Sequence, residues 1–219
     1  MKLVDTLDEQ ATLEALLDET KPPVPPECRH LHYLLFTPFR YQARSDSRFR
    51  RAGATPGVFY ASEAVATAVA EIAFWRLLFF LESPATGWPA NPLEFTAFAV
   101  AYETALCLDL TRPPHDAEAE AWVHPTDYSR CHEIADAARA MGAEAIRSLS
   151  ARDPAGGVNL SLLTCVAFAK PAPLARETWR LRLGPAGVMA RPDGQAEGLD
   201  FGREAFARDP RIRDARWTR

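Results

Sequence analysis

The 219-residue sequence predicts an α+β fold on three observations. Short apolar runs of strand length recur along the chain, few segments carry a helical period, and the two do not alternate as a doubly wound sheet requires. Composition agrees with a folded, soluble chain: 47% hydrophobic and 25% charged residues are too apolar a mixture for disorder. The length suits one large domain, or one domain with extensions. A net charge of −4 supplies no global field towards nucleic acid or acidic membranes.

The elements follow in order. Val4, Leu7, Leu13, Leu16 and Leu17 stand at helical spacings and predict an amphipathic first helix. Lys21-Pro-Pro-Val-Pro-Pro26 ends it and runs on as an extended connector, so residues 1–27 form an N-terminal appendage. His32 to Phe36 reads as a strand entering the main body, residues 28–183. Thr37 to Gly57 is a polar, arginine-loaded loop, and Val58 to Ala61 a short buried strand. Ser62 is placed to cap, and Glu63 to open, a helix reaching about Leu81. Phe95–Tyr102 and Ala105–Leu110 read as strands, His115–Trp122 as acidic surface, and Tyr128–Met141 as a helix stopped by Gly142. Two further strands, Ala145–Ser150 and Leu160–Phe168, flank the turn-rich Arg152-Asp-Pro-Ala-Gly-Gly157, and Thr178–Leu183 is another. Beyond Gly184 the composition turns polar and predicts a weakly ordered extension, residues 184–219. No repeat is visible, and a single core is expected.

Several classes lose support. Met1 to Thr20 is acidic and does not resemble a secretory leader. The apolar run Ala64–Leu81 is interrupted by Glu71 and Arg76, against a membrane span. Cys28, Cys107, Cys131 and Cys165 lack CxxC spacing and read as reduced thiols of a cytoplasmic protein. Cys28-x-His30-x-His32 could align ligands on one side of an extended segment, but no further Cys/His pair completes a site, and no metal is expected. The common phosphate-loop, dinucleotide, metalloprotease and serine-hydrolase motifs are missing.

Two anomalies remain. Of 25 basic residues 22 are arginine, and five of them, Arg40, Arg44, Arg48, Arg50 and Arg51, crowd into twelve positions with Phe39, Tyr41 and Phe49 between them. That segment is either a solvated basic loop or a ligand site. Guanidinium and ring in alternation suit a pyrophosphate joined to a heterocycle, and equally a single strand of nucleic acid, which the acidic total disfavours. The tail arginines Arg203, Arg208, Arg211, Arg213, Arg216 and Arg219 read as solvated surface. The second anomaly is Glu71, set in an otherwise apolar helix, where a carboxylate is costly unless it is paired or faces a polar cleft. Thr67, Glu71 and Trp75 share one helix face at four-residue spacing, so a narrow structural stripe is the competing reading. Tyr60 precedes Glu71 by eleven residues, where a strand-to-helix turn can bring it over the same cleft.

These residues carry a resemblance. His32-Tyr-Leu-Leu-Phe-Thr-Pro-Phe-Arg-Tyr41, Ser47-Arg-Phe-Arg50, Gly57-Val-Phe-Tyr-Ala61 and Thr67-Ala-x-Ala-Glu71, followed by Ile146-Arg-Ser-Leu-Ser-Ala-Arg-Asp-Pro154 and Gly156-Gly-Val-Asn-Leu160, together resemble the RES domain. The resemblance spans about Leu31 to Phe168 and implies a compact α+β fold like that of ADP-ribosyltransferase toxins. It implies NAD as substrate and membership of a toxin–antitoxin pair in which an Xre-type antitoxin covers the site. By position, Arg40 matches the first signature arginine, with Tyr41 beside it. Arg48 matches the second, with serine in place of the usual preceding glycine and Arg50 close enough to serve instead. Tyr60, Glu71 and Ser150 match the tyrosine, glutamate and serine. The implied roles are a pyrophosphate clamp at Arg40 and Arg48 or Arg50 with Tyr41 in the binding site beside it, packing of Tyr60 on the nicotinamide ribose or ring, and catalysis by Glu71 with Arg48 and Ser150, the serine bonding the nicotinamide amide or orienting Glu71. Cleaved ADP-ribose would pass to phosphate, water or a protein target. The competing expectation is a non-catalytic protein- or nucleic-acid-binding module that uses the arginine loop.

Overall fold

Thr6 opens the first helix of the computed structural model, which describes residues 4–54 and 56–217. Arg219 of the tail lies outside the described residues. The Thr6 hydroxyl accepts from Glu9 N–H, and the Glu9 carboxylate accepts from Thr6 N–H, a reciprocal cap for α1 (Leu7–Glu19). No residue of α1 is buried, and Leu7, Leu16 and Leu17 face outward. Polar contacts tie its end to the body: Arg40 pairs with Asp18 at 3.0 Å and donates to the Pro22 carbonyl.

His32–Phe36 is not a strand. It opens helix α2 (Tyr33–Arg40), capped by His32 Nδ1, which accepts from Leu34 N–H at 3.2 Å. Leu35 and Phe39, one helical turn apart, are buried together, a period that a short apolar run with an internal proline conceals. Strand β1 (Phe59–Ser62) and helix α3 (Val65–Glu82) follow. Ser62 does not cap α3, whose start at Ala64 has no side-chain cap. It ends β1 and donates instead to Asn159 Oδ1 at 2.7 Å.

The order continues through β2 (Leu93–Ala99), β3 (Cys107–Asp109), α4 (Ala119–Trp122), α5 (Ser129–Ala140), β4 (Ala145–Leu149) and β5 (Val158–Leu162). Gly142, at φ +77°, turns the chain after α5. The strand expected to reach Phe168 stops at Leu162, because Thr164 caps a 3-10 turn, Cys165–Ala167. Then come β6 (Ala175–Gly184), β7 (Gly187–Pro192), β8 (Leu199–Gly202) and α6 (Pro210–Arg213). Among the described residues these strands make two four-stranded sheets, ordered β1-β5-β4-β3 and β2-β6-β7-β8, antiparallel except for β3 beside β4.

Helix α3 rests on the second sheet. Its Val69, Ala73, Phe74, Leu77 and Leu78 pack with Trp179, Leu181, Leu183, Val188, Ala190 and Phe201, and with Phe206, Ile212 and Trp217. Residues 185–217 are therefore ordered structure, not a loose extension. Sparse apolar positions such as Val188, Phe201 and Ile212 do the burying while the average composition stays polar. The single expected core is three clusters, the others lying beneath α2 and between α5 and the first sheet.

Cys28 and Cys165 form a disulfide, where free thiols were expected; Cys107 and Cys131 are free. The partners are 137 residues apart, so their spacing carried no sign of the pairing. Among the described residues no helix is long and apolar enough to cross a membrane.

Candidate active site

A cavity of about 350 Å³ lies between α3 and one face of the first sheet. That volume is in the range of small-molecule sites. The register explains its polar floor: Tyr60 is paired with Ser161, and both Ser62 and Ser148 with Asn159. Paired residues project to the same side of a sheet, so one face of β1-β5-β4 gathers hydroxyls and an amide. The helix supplies Ala68, Glu71, Ile72 and Trp75, spaced to face the cavity together. The arginine-rich segment supplies Ser47, Arg48 and Phe49 as a further wall.

Glu71 is held at one oxygen. Ser150 Oγ and Asn159 Nδ2 both donate to Oε1 at 2.6 Å, while among the described residues no donor reaches Oε2. Ser150 is itself fixed, its oxygen accepting from the N–H groups of Arg152 at 3.1 Å and Asp153 at 2.9 Å. Its hydroxyl proton is thereby committed to Glu71, an orienting role and not that of a nucleophile. Ser150 stands behind the carboxylate and outside the cavity lining. A carboxyl group so restrained keeps its second oxygen in a fixed position as a hydrogen-bond acceptor.

Arg48, and not Arg50, lines the cavity. Its Nη2 donates to Ser148 Oγ and the Leu149 carbonyl, each at 2.8 Å, which fixes the guanidinium plane. Its buried Nε has no partner among the described residues. Arg50 sits behind, near Gly57, also with an unpartnered Nε. Tyr60 is 43% exposed, its ring open to the cavity, yet its hydroxyl end is enclosed. There the oxygen meets Ser47 Oγ at 2.8 Å and accepts from Phe49 N–H at 3.1 Å. Burial of that end pushes the phenol's pKa above its ordinary value, against the hydrogen bonds and the Arg48 and Arg50 charges.

Arg40 and Tyr41 are not brought to this cavity. Arg40 spends its guanidinium on Asp18 and the Pro22 carbonyl, and so anchors the N-terminal segment instead of addressing a ligand. The arginine-rich segment that follows Tyr41 is not freely solvated. Phe49 is buried, Arg51 pairs with Asp136 at 3.0 Å, His132 Nε2 lies 2.9 Å from the Ser47 carbonyl, and Arg139 donates to the Phe49 carbonyl at 3.1 Å. These contacts weaken the reading of a basic nucleic-acid patch.

Sequence reasoning missed Asn159, Ser161, Ser148, Tyr128 and Arg152, all of which line the cavity. Asn159 and Ser161 alternate on β5, a period-two polar pattern that was the available signal. The RES domain family matches residues 24–184, about three quarters of the chain. The chain belongs to the RES-domain family. The match takes in α2 through β6, and with them every residue named in the cavity wall. RES domains are associated with NAD-related toxin function and NAD-using enzymes. No curated protein matches this RES-domain chain.

Proposed function

We propose that this RES-domain protein binds NAD in the cavity and cleaves the bond between nicotinamide and ribose. The reading is carried by one arrangement: Glu71, aimed by Ser150 and Asn159, shares a cavity with Arg48 and two open aromatic rings, Tyr60 and Trp75. Arg48 meets the pyrophosphate, for which a guanidinium with a fixed plane is suited. Tyr60 and Trp75 pack on the heterocycle. As the C1′–N bond breaks, its electron pair leaves with nicotinamide and positive charge develops on the ribose ring. Glu71 Oε2 stabilises that charge or holds a ribose hydroxyl, and the low-dielectric wall strengthens either interaction. An acceptor oxygen then attacks C1′ and releases its proton.

The acceptor is phosphate, water or a protein side chain, giving ADP-ribose 1″-phosphate, free ADP-ribose or a modified target. In this reading the protein is the toxin of a type II toxin–antitoxin pair. A co-encoded Xre-type antitoxin covers the mouth, and the exposed apolar residues of α3, Trp75 at the cavity and Val65 and Phe79 elsewhere on the helix, are surface it could bury. Incubating the protein with NAD, with and without phosphate, and weighing the products by mass spectrometry identifies the acceptor. Glu71→Gln should reduce NAD consumption at least a hundredfold with the fold intact by circular dichroism. Wild-type turnover in that variant refutes the assignment, and an inert wild-type protein supports a non-catalytic module.

A further inference from the structure

Arg152 stands in the cavity wall and is almost wholly enclosed, its side chain 4% exposed. Its charge is answered from outside the family match. Asp209, 1% exposed, accepts from Arg152 Nη1 at 2.9 Å. The same carboxylate takes both prongs of Arg211, Nε at 3.0 Å and Nη2 at 2.7 Å, and caps the short α6 through Arg211 N–H. Two guanidinium groups thus share one anion. The Arg152 guanidinium lies 3.9 Å from the Phe74 ring centre, and those of Arg152 and Arg211 each lie 5.8 Å from that of Trp75. Cations at such distances are attracted to an indole face. Arg152 also donates to the Pro125 carbonyl and meets at 3.3 Å the hydroxyl of Tyr128, another aromatic residue of the cavity.

We propose that Asp209 and Arg211 are positioning residues of the site, seating Arg152 and the Trp75 ring and so setting how tightly the cavity holds its ligand. The identity of that ligand rests on the NAD reading above; the seating does not. Trp75 is 46% exposed, and its ring meets this pair of cations and Phe74, whose centre is 5.1 Å away. Asp209 stays ionised to serve: burial alone would raise its pKa, but the Arg211 hydrogen bonds and the Arg152 charge outweigh it and hold the value below the usual one.

The test uses the full chain with Asp209→Asn and Arg211→Gln. Asp209→Asn leaves a buried guanidinium short of its counter-charge and can compromise folding. Arg211, a third exposed, is the safer variant. Two readouts are taken on protein whose circular dichroism matches wild type. The KM for NAD should rise about tenfold in either variant while kcat stays within threefold. The emission of Trp75, isolated by subtracting the same protein carrying Trp75→Phe, should shift to longer wavelength and become more accessible to acrylamide. A folded Arg211→Gln with unchanged KM and unchanged Trp75 emission overturns the proposal. If the wild-type protein consumes no NAD, the functional reading falls and the Trp75 emission alone decides the seating.

Discussion

Replacing Ser150 by alanine separates an orienting serine from a nucleophilic one. The hydroxyl donates to Glu71 at 2.6 Å and accepts two backbone N–H groups, from Arg152 and Asp153. A hydrogen bond to an ionised group is worth about 1.5–3 kcal/mol. The Asn159 bond to the same carboxylate oxygen remains, so Glu71 is loosened and not released. If the lost restraint is felt mainly in the transition state, kcat for NAD consumption should fall roughly tenfold to a hundredfold, with KM little changed. Stability should also fall, by about 1–3 kcal/mol, because two N–H groups in the turn lose a buried acceptor. Steady-state kinetics and urea unfolding of the same preparation measure both. Asn159→Ala, which removes the other donor, should lower kcat by a similar factor. Wild-type kcat in Ser150→Ala would refute the coupling between Ser150 and Glu71, and a covalent ADP-ribosyl adduct trapped on Ser150 would refute the orienting role.

The remaining predictions concern the arginines and two structural ties. Arg48→Gln should raise the KM for NAD at least tenfold, and Arg40→Gln by less than threefold, because only the former guanidinium lines the cavity. Equal effects in a kinetic comparison would return Arg40 to the site. A Cβ on Gly157 would overlap Thr67 Oγ1 and the Asp153 carboxylate that it bonds, so Gly157→Ala should cost about 1–3 kcal/mol of stability. Adding Thr67→Ala should recover part of that loss, and an unchanged unfolding midpoint in the single variant would contradict the close approach. Reducing the Cys28–Cys165 disulfide releases a loop of 137 residues and should lower stability by about 2–5 kcal/mol. Denaturant midpoints with and without reductant decide this, and identical midpoints count against the bond.

How much of the site is legible in the sequence differs from residue to residue. Glu71 was conspicuous because a charge in an apolar helix must have a reason, and Tyr60 because a strand, a tight turn and a helix fix where it points. Arg40 and Arg48 could not be told apart, since both sit beside aromatic residues. What separates them is Asp18, 22 residues before Arg40, which captures its guanidinium. Asn159 and Ser161 belong to the site only through the pairing of β5 with β1, a register that no local pattern contains. The strand expected at His32–Phe36 failed where an apolar run is too short to show its period. The tail failed because an average over its polar residues hid Phe206, Ile212 and Trp217.

Helix α3 carries Glu71 on one side and rests its other side on strands made from both ends of the later sequence. A ribosome delivers the chain from the N-terminus, and α3 is complete long before β7, β8 and α6 exist. Until then Phe74, Leu77 and Leu78 lack part of the surface they bury against, and Arg152 lacks Asp209. The order of synthesis therefore delays completion of the cavity wall until Asp209 has been made. On the proposed function, Arg152 and Trp75 are seated for NAD only once the segment carrying Asp209 and Arg211 has been made.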